Sequence, residues 1–289
     1  MFTLAALPFG ETATLAQLHI RDTSIRKTDW MEYFKHSADF TIDSTDDFID
    51  TAWGKFVLSS DTSHGDPIPG GYPGLDNIQY GDLDGDGREE AAMLFYCGGT
   101  AGAMSYAVFR QNGNMPSLVE WGDGYKLGCG MRNDTLLIYQ PVYNGGWEPN
   151  CCPSSLQTQY YRIKKNKLFL IDTAEEGIVE MAPAAVEHFY SLLSSRDDTT
   201  AYQMLSKKYQ LSHPFKKWSE GFKNTVSSEA AADTMRTSDS TVYIKLTAVD
   251  RLPGGENITS TYEGTWKMEW SPDAGWFLAE PKIRKVNKK

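Results

Sequence analysis

No stretch of this chain approaches the run of about 18 apolar residues that a membrane-spanning helix requires, so there is no candidate helical span. Histidine is scarce: His19, His36, His64, His188 and His213 lie scattered, without the spacing of metal ligands. Familiar catalytic signatures are missing as well. There is no Walker loop, no G-x-G-x-x-G, no H-E-x-x-H and no G-x-S-x-G. Ser24-Ile25-Arg26-Lys27 matches S-x-x-K, but the S-D-N and K-T-G partners of that chemistry are absent. Positive charge is also in short supply, with 28 Lys and Arg against 38 Asp and Glu. The deficit is uneven: −9 over residues 1–172 and −1 over the rest. An acidic first half repels phosphate backbones and anionic lipid surfaces, which argues against nucleic acid as a partner. Metal cations and basic or neutral partners suit it better.

What is present reads as a folded protein: 40% hydrophobic residues with 8 Trp, 15 Tyr and 13 Phe in 289 residues, a length comfortable for two domains. The four cysteines, Cys97, Cys129, Cys151 and Cys152, all fall in the first half, and none makes a C-x-x-C pattern. An even number in a loop-rich region reads as two disulfides and an oxidising compartment. Four cysteines allow three connectivities; the expectation is that Cys151 and Cys152 each pair with one of Cys97 and Cys129. Met1 to Phe9 is apolar but too short for a complete signal peptide, so export implies a leader already removed. The sequons at Asn133 and Asn257 matter only in a eukaryotic secretory pathway, and Lys282 to Lys289 reads as a solvated basic tail.

Along the chain, Asp22 to Lys35 is mixed in periodicity, Thr45–Lys55 fits an amphipathic helix, and residues 59–76 read as a long loop. From Ile78 the grammar becomes short strands: 78–81, 90–96, 105–110, 117–120, 135–142, 159–164 and 167–171. Turn residues separate them at Gln111-Asn112-Gly113, Gly122-Asp123-Gly124 and Lys164-Lys165-Asn166. The acidic stretch Asp172 to Pro183 reads as a connector, with one domain over 1–174 and a second over 175–289. In the second, helices are expected from Pro183 to Leu193, over Thr200–Lys208 and over Pro214–Lys223. Strands follow at 226–232, 241–251, 259–270 and 276–286. The class this predicts is α+β: a β-rich antiparallel N-terminal domain, then helices laid on a meandering sheet.

The sharpest signal is Tyr80-Gly-Asp-Leu-Asp-Gly-Asp-Gly-Arg-Glu-Glu-Ala-Ala-Met-Leu-Phe95. With Asp82 as position 1, carboxylates fall at positions 1, 3 and 5: Asp82, Asp84 and Asp86. Gly87 allows a sharp turn, the Arg88 carbonyl stands at position 7 and Glu90 at position 9. Hard Ca²⁺ takes six to eight oxygens in a flexible cage, and close carboxylates repel one another without a cation. An EF-hand is excluded, because position 12 is Met93 and an apolar strand-like run follows. The plain alternative is an Asp/Gly-rich turn whose carboxylates accept backbone N–H groups.

The loop resembles the integrin-type FG-GAP calcium loop, in which a strand enters and another leaves. The wider stretch, with Gly81–Gly87, Cys97-Gly98-Gly99 and Cys151-Cys-Pro-Ser154, is similar to a family of bacterial secreted lipoproteins. That resemblance implies export and a place in the cell envelope. Residues 183–286 resemble the NTF2-like cone fold, on Ala185–Leu193, Ala201–Leu205, Phe215–Phe222, Tyr262–Trp266 and Gly275–Leu278. That resemblance implies an isomerase- or dehydratase-like pocket, or a non-catalytic domain appended to an envelope protein. Candidate pocket acids and bases are His188, Asp250 and Glu269. The expected function is a non-enzymatic, extracytoplasmic Ca²⁺-binding protein with a binding or scaffolding role. The alternatives are a small-molecule enzyme, or an accessory or inhibitory protein docking on a cell-wall enzyme through its acidic domain.

Overall fold

The computed structural model describes residues 21–37, 40–43, 55–58, 72–96, 99–144, 146–238, 240–272 and 275–286. Helix α1 (Trp30–His36) starts at Asp29, whose side chain accepts the Glu32 N–H. That bond satisfies one of the donors a helix start leaves free. The 3₁₀ turn Ser24–Lys27 precedes it, so Asp22–Lys35 resolves into a turn and a short helix. A two-stranded ribbon, β1 (Phe40–Asp43) with β2 (Lys55–Leu58), follows; the helix expected over Thr45–Lys55 falls almost wholly outside the described residues.

Two antiparallel sheets fill the rest of the first half. One joins β3 (Tyr72–Pro73), β4 (Gln79–Gly81), β5 (Glu90–Tyr96), β6 (Ala103–Asn112) and β7 (Met115–Asp123). The other runs β11-β10-β9-β8, made of β8 (Gly128–Arg132), β9 (Thr135–Val142), β10 (Ser155–Lys164) and β11 (Lys167–Gly177). Strand β5 is buried on both faces, which is why it reads as an unbroken apolar run. Ala91, Met93 and Phe95 meet Trp30, Tyr33 and Phe34 on one side. Ala92 and Leu94 meet Leu136, Ile138 and Ile163 on the other. Two hairpins turn on two residues that are both left-handed, Asn133-Asp134 (φ 49° and 56°) and Lys165-Asn166 (φ 53° and 59°). Such turns match the right-handed twist of the strands they join.

In the second half α2 (Ala182–Ser194) buries Ala185, Val186, Phe189, Tyr190 and Leu193 along one stripe. The stripe packs on the sheet of β12 (Thr225–Ser238), β13 (Thr241–Arg251), β14 (Asn257–Ser271) and β15 (Gly275–Lys285), which contributes Val242, Ile244, Leu246, Trp266, Met268 and Leu278. Full burial of each large side chain contributes about 1.5–3 kcal/mol. Three short helices complete this half: α3 (Asp198–Gln203), α4 (Lys207–Ser212) and α5 (Phe215–Glu220). Both sheet edges are closed in part. Ser194 Oγ and Glu187 Oε1 accept the Ser228 and Ala232 N–H groups of β12, while Leu278 of β15 exchanges backbone bonds with Met204 and Ser206.

This corrects the expected class. The described residues are mostly β, with three antiparallel sheets of four, four and five strands besides the two-stranded ribbon, and few helices; this is not an α+β protein ending in an NTF2-like cone. The helical stretch breaks where Asp197 and Ser206 accept N–H groups as helix caps, leaving helices of six residues after the 13 of α2. The strands that follow run 11 to 15 residues. The expected connector is different too: Asp172 to Gly177 belongs to β11 and pairs with Tyr160 to Ser155 of β10.

Candidate functional site

The acidic loop spans residues 82–89 between β4 and β5, whose pairing sets Gly81 opposite Glu90. Gly85 and Gly87 take φ of 78° and 87°, the left-handed region that a side chain would make strained. With the chain folded back this way, one carboxylate oxygen from each of Asp82, Asp84 and Asp86 lies within 4.8 Å of the others. Backbone bonds hold them. Asp82 Oδ1 accepts from Gly85 N–H at 2.8 Å and its Oδ2 from Gly87 N–H at 3.0 Å. Asp84 Oδ1 accepts from Asp86 N–H, and Asp86 Oδ1 from Arg88 N–H.

Glu90 does not join that cluster. It is 1% exposed, accepts the Leu83 N–H at Oε2 (2.7 Å), and meets Arg110 Nη2 at Oε1 (3.1 Å). Burial pushes its carboxyl up to about 7, against the pull of the Leu83 N–H and of Arg110. Arg110 reaches it because β5 and β6 pair in a register that sets Glu90 directly across from Arg110. The same guanidinium nitrogen lies 2.5 Å from Asp84 Oδ2, and Nη1 donates to Asn166 Oδ1. Arg88 enters through its side chain, 3.4 Å from Asp86 Oδ2.

Other residues, not singled out in the sequence, brace the loop. Asp134, in the β8–β9 turn, accepts the Asp82 N–H and pairs with Arg21. Asp22 N–H donates to Gly87 O, and Glu89 N–H donates to Asp22 O. Arg26 grips the buried Glu89 with two bonds, at 2.5 and 2.8 Å. The left-handed Asn-Asp pair was the one sequence signal pointing to Asp134, since that pair favours such hairpins. Arg110 gave none, because only the register finds it.

The donor set fits a hard cation: all oxygen, anionic and held by a loop rather than by rigid strands. Each oxygen of Asp82 keeps a lone pair beyond its N–H bond, so its backbone contacts do not exhaust it. Arg110 is the competing charge at Asp84. Of the expected ligands, the carboxylates of Asp82, Asp84 and Asp86 converge, while Glu90 is paired to Arg110.

The cysteines also differ from expectation. Cys151 and Cys152 bond to each other, and Cys129 is a free, half-buried thiol whose pKa burial pushes up to about 11. Cys97 lies outside the described residues. Cys129 stands opposite Ile138 in the β8–β9 register and packs against the core, whereas Cys151 is exposed in the loop before β10.

The candidate acids and bases of the second half do not converge. His188 stacks on Trp147, with ring centroids 4.4 Å apart, and burial lowers its pKa. Asp250 accepts the Thr225 hydroxyl at 2.8 Å, where β12 meets β13. Glu269 lines an open groove of about 410 Å³ with Lys208, His213 and Lys267. Among the described residues no helix is long and apolar enough to cross a membrane. Set against models of known families, curated proteins and solved structures, the chain shows no match.

Proposed function

We propose that this chain is a non-enzymatic Ca²⁺-binding protein of the bacterial envelope, working outside the cytoplasm in a binding or scaffolding role. The observation that carries the reading is the convergence of the Asp82, Asp84 and Asp86 oxygens within 4.8 Å on a loop turned by two left-handed glycines. Three carboxylates at that spacing repel one another, and a divalent cation relieves the repulsion. When bound, the ion supplies charge neutralisation and stiffness to the 82–89 loop. Asp82, Asp84 and Asp86 hold it, while Arg26, Arg21 and Asp134 keep the loop's flanks in place. We assign the ion a structural role, since Glu90, the neighbouring buried carboxyl, is occupied by the Leu83 N–H and Arg110. The Cys151–Cys152 disulfide suits an oxidising compartment.

Thermal unfolding of the non-reduced full chain in EDTA and in millimolar Ca²⁺, with Asp84→Ala alongside, tests the reading. A ligand at 100 times its Kd stabilises by about 2.7 kcal/mol. Wild type is expected to shift upward by several degrees and the variant not at all. Equal melting temperatures in both media would sink the calcium reading.

A further inference from the structure

Strand β11 is the outermost of its sheet. It pairs with β10 on one side, and no strand among the described residues pairs with the other. Its middle is apolar and wet: Phe169, Leu170 and Ile171 are 55%, 45% and 50% exposed. The register explains the run. Leu168 stands opposite the buried Ile163, Phe169 faces the other way opposite Arg162, and a register shift between Tyr160 and Tyr161 leaves Ile171 with no opposite residue. Edges of soluble sheets are ordinarily blunted by charge at their centre. Here the charges sit at the two ends instead, Lys164, Lys165 and Lys167 before the apolar trio and Asp172, Glu175 and Glu176 after it.

A strand basic at its start and acidic at its end is complementary to itself when antiparallel. We propose that the β11 edge is a homodimer interface, with a second copy of this chain adding its own β11 antiparallel across a two-fold axis at Ile171. That arrangement sets Ile171 against its counterpart, Phe169 across from Thr173, and Lys167 across from Glu175. The kink at the register shift falls on the axis, so Lys167–Leu170 of one copy meets the unkinked Asp172–Glu175 of the other. The paired segments, Lys167–Glu175 of each copy, span about 30 Å at about 3.3 Å per residue and continue one four-stranded sheet into eight strands. Backbone bonds supply affinity, the apolar trio gains cover, and the ion pairs at the ends fix direction and register.

Sedimentation equilibrium of the full chain from about 1 to 200 μM reads this directly. Wild type is expected to be a dimer in the upper part of that range. Ile171→Lys is expected to be a monomer with an unchanged circular dichroism spectrum. Lys167→Glu, which touches only an exposed side chain, should weaken the dimer about tenfold, each copy losing one pair. Adding Glu175→Lys to it should restore association. A wild-type monomer at every concentration overturns the proposal. So does a dimer that survives both Ile171→Lys and Lys167→Glu, since its interface then lies elsewhere.

Discussion

Arg110 is shared by Asp84 and the buried Glu90, and its removal has a calculable cost. In Arg110→Met the Glu90 carboxylate stays 1% exposed and keeps only the Leu83 N–H. Breaking a fully buried pair costs about 3–5 kcal/mol. The Arg110 side chain is 22% exposed, so solvent screening brings the figure to about 2–3 kcal/mol. That corresponds to a fall in Tm of about 5–10 °C. The pH dependence has a definite sign. The folded carboxyl titrates at about 7, above its ordinary 4.5, so in that window the folded chain holds a proton the unfolded chain has lost, and stability falls as pH rises. Without Arg110 the folded value moves higher still. The deficit of the variant is therefore largest at pH 8 and shrinks toward pH 5, where Glu90 is neutral. Scanning calorimetry of both proteins in EDTA at pH 5 and pH 8 checks it. An equal deficit at the two pH values, or none at pH 8, would refute the reasoning.

Two further substitutions test the packing of the second half. A Cβ on Gly264 would come within 2.1 Å of Lys282 O and 2.6 Å of Ile283 Cα, both backbone atoms of β15, so Gly264→Ala must push β14 and β15 apart. It should cost about 3 kcal/mol or more in denaturant unfolding, and a loss under 1 kcal/mol would mean that this close approach is not fixed. Tyr190 accepts the buried Trp266 Nε1–H at 3.1 Å, and Tyr190→Phe strands that donor. A loss of about 1–3 kcal/mol with an unchanged m-value is expected; an unchanged midpoint would mean the indole finds another acceptor.

The acidic loop was legible because its information is local: alternating aspartates, two glycines and a strand on either side all lie within 17 residues. Its neutralising partner was not, because Arg110 is 20 residues further on and enters only through the β5–β6 register. The hairpins of the first half were legible from their turn residues, although β8 hid behind glycines and a cysteine that carry no strand periodicity. In the second half, apolar spacing gave α2 its face, but a resemblance in the order of helices and strands said nothing of how much chain each would take. Ser206 caps a new helix inside the one expected over Thr200–Lys208, and β12 runs on to Ser238, past the strand expected to end at Ala232. The acidic run after Ile171 looked like a connector, since charge alone does not distinguish a linker from an exposed edge strand.

Calorimetric titration of Ca²⁺ into the EDTA-stripped, non-reduced chain reaches the central claim most directly. One site per chain is the result predicted for wild type, with weaker binding of Mg²⁺, whose strict octahedral geometry suits a flexible loop poorly. Asp82→Asn and Asp86→Asn should each weaken the site while leaving the fold intact. No binding heat and no competition with a calcium chelator at millimolar Ca²⁺ would contradict the account, and the 82–89 loop would then be a turn closed by its own backbone bonds and by Arg110.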